Sequence, residues 1–332
     1  MPSPPKIFIH NTVVMITSRT EEGLPFVPTA FMNEIVWSAL AAAQSKYWVE
    51  LIDFAVEGNH LHIILRVIDP ENVPLFVGYA KQEIAHRVNR LLGRRKRTIW
   101  AEGYDSPTIL DLNKTLDQIA YVMLNPVKDH IVERIEQYPG VTSAEMFKNE
   151  HFTRSCTYIP RNEVLALKNP HEPWKETKSI MRHFETLKDR EGAKKLNLVL
   201  SPYAWKHCFD ETKERPDSDI RAMMLERIRT AAEEIQKERV STGRNRFPSA
   251  SDLVRQSMLK PYQPKSFGKR MWCLSVNKDL RRQFIRFFKA SIAKARDVLA
   301  EWAKGIYTNA FPAGLFPPGR RTMASVLSWA GG

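Results

Sequence analysis

The chain has 332 residues, 43% hydrophobic and 26% charged, a globular composition with enough apolar matter for a full core. That excludes a disordered or collagen-like chain, and no apolar run nears the roughly 18 residues that suggest a bilayer span. The net charge of +13 is unevenly placed: residues 1–155 hold 16 Lys+Arg against 18 Asp+Glu, or −2, and residues 156–332 hold 34 against 19, or +15.

An excess of that size in one half points to a polyanionic partner, the alternative being a solvated basic surface. Cys156, Cys208 and Cys273 form no Cys-x-x-Cys pair, so neither a zinc ribbon nor a disulfide framework is expected. The opening Met-Pro-Ser-Pro-Pro-Lys lacks the basic and apolar regions of a secretory leader, which makes a cytoplasmic protein the expectation.

In chain order, the β-branched run Ile7 to Thr17 predicts a first strand. Thr29 is placed as the N-cap of a helix with Phe31, Ile35, Ala39, Ala42 and Tyr47 at helical spacing. Val49 to Val56 and His60 to Val67 predict two strands joined by the tight turn Glu57-Gly58-Asn59. Pro74 suits the first turn of a second helix that Gly93 ends. Arg94-Arg95-Lys96-Arg97 follows, then an extended stretch to Asp111 and a third helix from Asn113 to Asn125.

The order β-α-β-β-α-β-α predicts an α+β fold, a ferredoxin-like antiparallel sheet with packed helices. Three regions are expected: an α+β domain over 1–150, an irregular linker over 151–200, and a basic, mainly helical region over 201–332 suited to a polyanion. In the last, Ile220, Met224, Ile228, Ala231 and Ile235 share one helical face. A second helix sets Phe284, Phe288, Ala295 and Val298 against a basic side of Lys278, Arg282, Arg286, Lys289 and Arg296. That stripe faces either phosphates or plain solvent. The tail around Phe311-Pro312 and Phe316-Pro317-Pro318-Gly319 reads as extended and able to dock back on the first half.

Two groups of residues carry chemistry. In a strand, His60 and His62 project from the same face, while Leu61, Ile63, Leu65 and Val67 fill the other. Two such imidazoles can ligate a divalent cation or stand as surface histidines. Tyr121 and Asn125, four residues apart, share a helical face. They could serve as nucleophile and auxiliary metal ligand, or as a core-edge tyrosine with an asparagine cap. Pro126 is expected to end or kink the helix directly after them.

The combination resembles the single-tyrosine HUH (His-hydrophobic-His), or IS200-like, transposases, and within them the REP-associated tyrosine transposases. The resemblance is carried by Thr17-Ser18-Arg19, NHLHIIL at 59–65, Trp100…Tyr104-x-Ser106 and YVMLNPVKDHIVERIEQYPGVTS at 121–143, and it covers roughly residues 6–145. The chain departs from the family at Gly58, usually Pro, at Gly103, usually basic, and at Lys128-Asp129-His130, usually Arg-Ala-Gly.

The resemblance implies that His60, His62 and Asn125 hold Mg²⁺ or Mn²⁺, and that Tyr121 attacks a phosphodiester to give a 5′-phosphotyrosine and a free 3′-OH. Single-stranded or hairpin DNA would be the substrate, within mobile or repetitive palindromic elements. A prokaryotic-type, nucleoid-associated setting is implied too. Arg94, Arg95, Lys96, Arg97 and Lys128 would contact phosphates, with Lys278, Arg282, Arg286 and Lys289 as a second basic element. A replication initiator of the same chemistry is the second enzyme reading, weakened by the lack of a Walker-type Gly-x-x-x-x-Gly-Lys. A catalytically idle hairpin-binding protein is the third. Monomer and homodimer both remain open.

Overall fold

Val13–Arg19, β-branched and flanked by turn residues, forms strand β1 at the centre of the sheet. The Thr29 side chain accepts from Met32 N and starts helix α1, Ala30–Lys46, as expected from its capping chemistry. Strands β2, Glu50–Glu57, and β3, His60–Arg66, form a hairpin across Gly58 and Asn59. Gly58 takes φ +51°, a conformation that costs glycine little and that a proline could not adopt. Helix α2, Asn72–Leu91, ends two residues before Gly93, whose φ is +63°. Strand β4, Thr108–Ile109, and helix α3, Leu112–Met123, complete the first half.

The structure, a computed structural model, describes residues 6–94, 97–244, 246–261 and 271–317. Its main sheet runs β2-β3-β1-β4-β7, where β7 is Cys273–Leu274. The first four strands pair antiparallel throughout, the order expected of a ferredoxin-like fold. The fifth pairs parallel with β4, so the whole sheet is mixed rather than purely antiparallel. The reason is one of distance in sequence: β7 arrives from the C-terminal region and closes an edge that β4 would otherwise expose.

Cross-strand register assigns the two faces. Phe54 pairs with Ile63 and meets Trp37 of α1 edge-on at 5.5 Å, so α1 covers the face opposite the histidines. α3 packs on β2 and β3 from the histidine side. It ends where Pro126 withdraws a backbone donor, and a short second helix, α4, Asn125–Lys128, follows after Leu124. The single helix expected from Asn113 to Asn125 is therefore divided at Leu124.

The stretch expected as an irregular linker, 151–200, is ordered. After helix α5, Ala144–Lys148, come strand β5, Thr153–Thr157, helix α6, Thr177–Asp189, and strand β6, Lys195–Val199. Ile180, Phe184, Leu187 and Leu198 join the same core as the sheet, an apolar periodicity hidden among prolines and charges. Beyond lie helices α7, Asp217–Thr242, α8, Ala250–Val254, and α9, Lys278–Ala303. The expected apolar faces hold: Ile228, Ala231 and Ile235 of α7 pack near α4, and Phe284, Phe288 and Ala295 of α9 are buried. The tail does dock back. Phe8 N donates to Gly314 O at 2.9 Å, and Phe316 lies 6.3 Å from the Phe8 ring. Pro318 and Gly319 lie outside the described residues.

Asp53 of β2 is fully buried, bonded by the Ser143 hydroxyl, and burial pushes its carboxyl up to about 7. The unfolded carboxyl ionises near 3.8. Between those values the folded state binds the proton more tightly, so stability should fall as pH rises from about 4 to about 7 and level off above. Asp53→Asn is expected to remove that slope and raise the melting temperature at pH 8 by several degrees. Thermal melts at pH 4, 6 and 8 check it; parallel profiles for the two proteins would contradict the assignment.

Candidate active site

β3 carries His60 and His62 on one face with ring centroids 4.7 Å apart. The antiparallel register places Thr17 opposite His62 and Arg19 opposite His60. Thr17 Oγ1 lies 3.0 Å from His62 Nδ1 and fixes that ring, leaving Nε2 aimed away from the strand. Burial, reinforced by the Arg19 charge, lowers His60 to about 4, and the same burial holds His62 well below its usual value. Both imidazoles are therefore neutral at physiological pH, the state that ligates a cation.

α3 brings Tyr121 over this pair, its ring 5.6 Å from that of His62 and nearly perpendicular. Burial raises the phenol pKa, with Asp129 and Glu57 adding to the rise and Arg19 opposing it. Lys128 Nζ stands 4.5 Å over the centre of the Tyr121 ring. A one-residue break at Leu124 separates Asn125 from the helix that carries Tyr121. The Asn125 amide meets His60, with Nδ2 3.1 Å from Nε2. The four residues singled out in the sequence thus converge from β3, α3 and α4.

Two residues of the site gave no signal in the sequence. Glu57, at the end of β2, pairs across the hairpin with His60 and is 1% exposed. Its carboxyl is pushed up to about 9 by burial first and the neighbouring Asp129 charge second, while a hydrogen bond with Asn125 works the other way. Asp129 follows Asn125 in the turn after α4. The hairpin pairing sets Glu57 beside His60, but its place beside Asn125 depends on where α4 packs.

Among the described residues, no three His, Cys, Asp or Glu side chains gather into a metal-binding group. A cation here has to use an amide or a phosphate oxygen besides the imidazoles. The donor set fits that requirement. His62 Nε2 and Asn125 Oδ1 are both buried without a hydrogen-bond partner among the described residues, which is costly unless something else satisfies them. Imidazole and amide donors with room for oxygen ligands suit Mg²⁺ or Mn²⁺.

A cavity of 690 Å³ opens beside Tyr121 between α3 and α7, with Lys114, Gln118 and Lys128 on one wall and Arg227, Glu234 and Glu238 on the other. The remaining sequence-predicted residues lie outside the cluster. Arg94 and Arg97 flank a 1150 Å³ groove with Lys81, Arg90, Arg161 and Trp100 at the end of α2. Trp100, on this groove, bridges to Thr20, the residue after Arg19. Arg95 and Lys96 lie outside the described residues. Lys278, Arg282, Arg286 and Lys289 are exposed on α9, and Arg282 is ion-paired to Asp279. The attached strand β7 is three strands from β3, about 14 Å along the sheet.

Residues 13–125 match the family model described as "Transposase IS200 like". No curated protein matches the chain. Among solved structures, "Structure of the REP associates tyrosine transposase bound to a REP hairpin" is similar at 14% identity and a TM-score of 0.40, covering 48% of this chain and 90% of that one. No helix among the described residues is long and apolar enough to cross a membrane.

Proposed function

We propose, on the premise that residues 13–125 belong to the IS200-like transposase family, that the protein cuts and rejoins single-stranded DNA with Tyr121 as nucleophile, acting on mobile or repetitive palindromic elements. The observation that carries this reading is the approach of the Tyr121 ring to 5.6 Å from His62, while Asn125 lies 3.1 Å from His60. Binding alone requires no such meeting of a phenol, two neutral imidazoles and an orphaned amide oxygen.

Tyr121 Oη attacks the scissile phosphorus and loses its proton, the bond from phosphorus to the 3′ oxygen breaks, and that oxygen leaves as a hydroxyl. The chain is left with a 5′-phosphotyrosine. Return attack by a 3′-OH rejoins a strand without ATP, because one phosphodiester replaces another. His60, His62 and Asn125 would hold Mg²⁺ or Mn²⁺, which when bound polarises the phosphate and offsets charge on the leaving oxygen. Thr17 keeps the His62 ring in its ligating orientation. Arg19 and Lys128 place positive charge where the phosphate must enter, and Arg19 opposes the burial that keeps Tyr121 protonated.

The basic groove of Arg94 and Arg97 and the exposed face of α9 suit phosphate contacts along a bound hairpin. Such contacts set affinity and its salt dependence. Neutralising Arg282, Arg286 and Lys289 together is expected to weaken hairpin binding and reduce the slope of log affinity against log salt by about 2 for single strands. Fluorescence anisotropy at several salt concentrations reads this. An unaltered slope would make the stripe an ordinary solvated surface.

The test of the reaction is incubation of the full chain with labelled single-stranded oligonucleotides from its flanking genomic repeats and Mn²⁺. A denaturing gel should reveal DNA-linked protein, and peptide mapping should place the link at Tyr121. Hairpin binding without any linked protein would favour the idle DNA-binding reading.

A further inference from the structure

α7 lies outside the family-matched segment, yet it and the strand β7 grip α3 and α4 along their length. At the first end, Asp111 uses both carboxylate oxygens: Oδ1 accepts from Lys114 N as the N-cap of α3, and Oδ2 accepts from Val276 N, next to β7, at 2.9 Å. Midway, the Arg227 guanidinium of α7 donates to Asp117 and to Asn113. At the far end sits Arg239, 2% exposed.

Arg239 places a charge in the interior and donates hydrogen bonds to main-chain carbonyls. Nη1 donates to Glu133 O at 3.0 Å, and Nη2 donates to Val132 O at 3.0 Å and to Val127 O. The Phe247 ring stacks 4.6 Å from Cζ. Those carbonyls come from both sides of a reversal in which His130 adopts φ +58°, an uncommon value for a residue with a side chain. Three carbonyl dipoles drawn toward one point repel one another unless a cation lies between them. A guanidinium answers that need with several donors in a fixed fork. Inside the clamped segment are Lys128, over Tyr121, and Asp129, beside Glu57, while Asn125 precedes it by two residues.

We propose that Arg239 is a positioning residue: by gathering the carbonyls of Val127, Val132 and Glu133 it holds the turn after α4 so that the Asn125 amide faces the histidine pair. The inference rests on the cation-site reading above. It assigns to the C-terminal half a role in building the site, besides any contact with DNA.

The full-length wild type, His60→Ala, Arg239→Gln and Arg239→Lys are titrated with Mn²⁺ in the absence of DNA, following free Mn²⁺ by electron paramagnetic resonance. Arg239→Gln is expected to weaken Mn²⁺ binding by about 10-fold or more, in the range of outer-shell partners of metal ligands. Arg239→Lys, which can still donate to carbonyls, should recover part of the loss. Hydrogen exchange is measured alongside: amides of 126–133 should exchange faster in Arg239→Gln, while those of β1 and β3 stay unchanged. Unaltered Mn²⁺ affinity in a folded Arg239→Gln would overturn the proposal. If Arg239→Gln does not fold, Arg239→Lys decides: wild-type affinity together with faster exchange over 126–133 would also overturn it. Equal Mn²⁺ affinity in wild type and His60→Ala would instead reject the cation site itself, and the exchange data would then report the clamp alone.

Discussion

Tyr121→Phe is expected to abolish the covalent protein–DNA product while leaving hairpin affinity within about 2-fold of wild type. The change deletes one oxygen and keeps the ring that packs against His62 and under Lys128. Among the described residues, no other tyrosine ring packs against His60 or His62. Tyr104 sits on the stretch that pairs with β1, and Tyr138 donates its hydroxyl to Val56 O at 2.7 Å in the core. The rate of product formation in the wild type should climb with pH through the neutral and alkaline range. A free tyrosine of pKa about 10 is only ~0.1% ionised at pH 7, and burial together with Asp129 and Glu57 raises this one further. Denaturing gels across pH 6–9 check both statements. Persistence of the linked product in Tyr121→Phe would move the nucleophile elsewhere.

The second large effect is expected at the imidazoles. His62→Ala removes a donor whose Nε2 is already buried and unpartnered, and should lower Mn²⁺ affinity by at least 100-fold and cleavage to background. Thr17→Val, which removes only the hydroxyl that orients His62, should cost about 10-fold in affinity. The pH dependence separates these imidazoles from surface histidines. A surface pair would lose Mn²⁺ as pH falls through about 6.5. Here burial holds His60 to about 4 and His62 well below its usual value, so proton competition from the pair should stay small down to about pH 5. Isothermal titration between pH 5 and 8 distinguishes the two; a loss of affinity centred near 6.5 would make the pair solvent-exposed in solution.

Much of this site was legible before folding. Alternation along a strand put His60 and His62 on one face, and Pro126 announced a break, which falls at Leu124, just before Asn125 rather than after it. Local rules suffice for such features because they depend on neighbours a few residues away. Glu57 was not legible, since its place beside Asn125 depends on where a separate helix lands. Nor was the order of 151–200, whose apolar positions bury against helices α1 and α2, far away in sequence.

Sequence by itself determined the chemistry on offer: a paired-imidazole strand, a phenol one helix later, a carboxamide before a proline, and a positive second half. It also determined the β-α-β-β-α-β order, because hydrophobic period and turn residues are written locally. Only the tertiary structure decided that the Asn125 amide meets His60, that β7 seals the sheet edge, and that a buried arginine over a hundred residues downstream bonds the carbonyls of the turn after α4. Those outcomes depend on which distant surfaces exclude water from one another, and apolar burial has no direction along the chain.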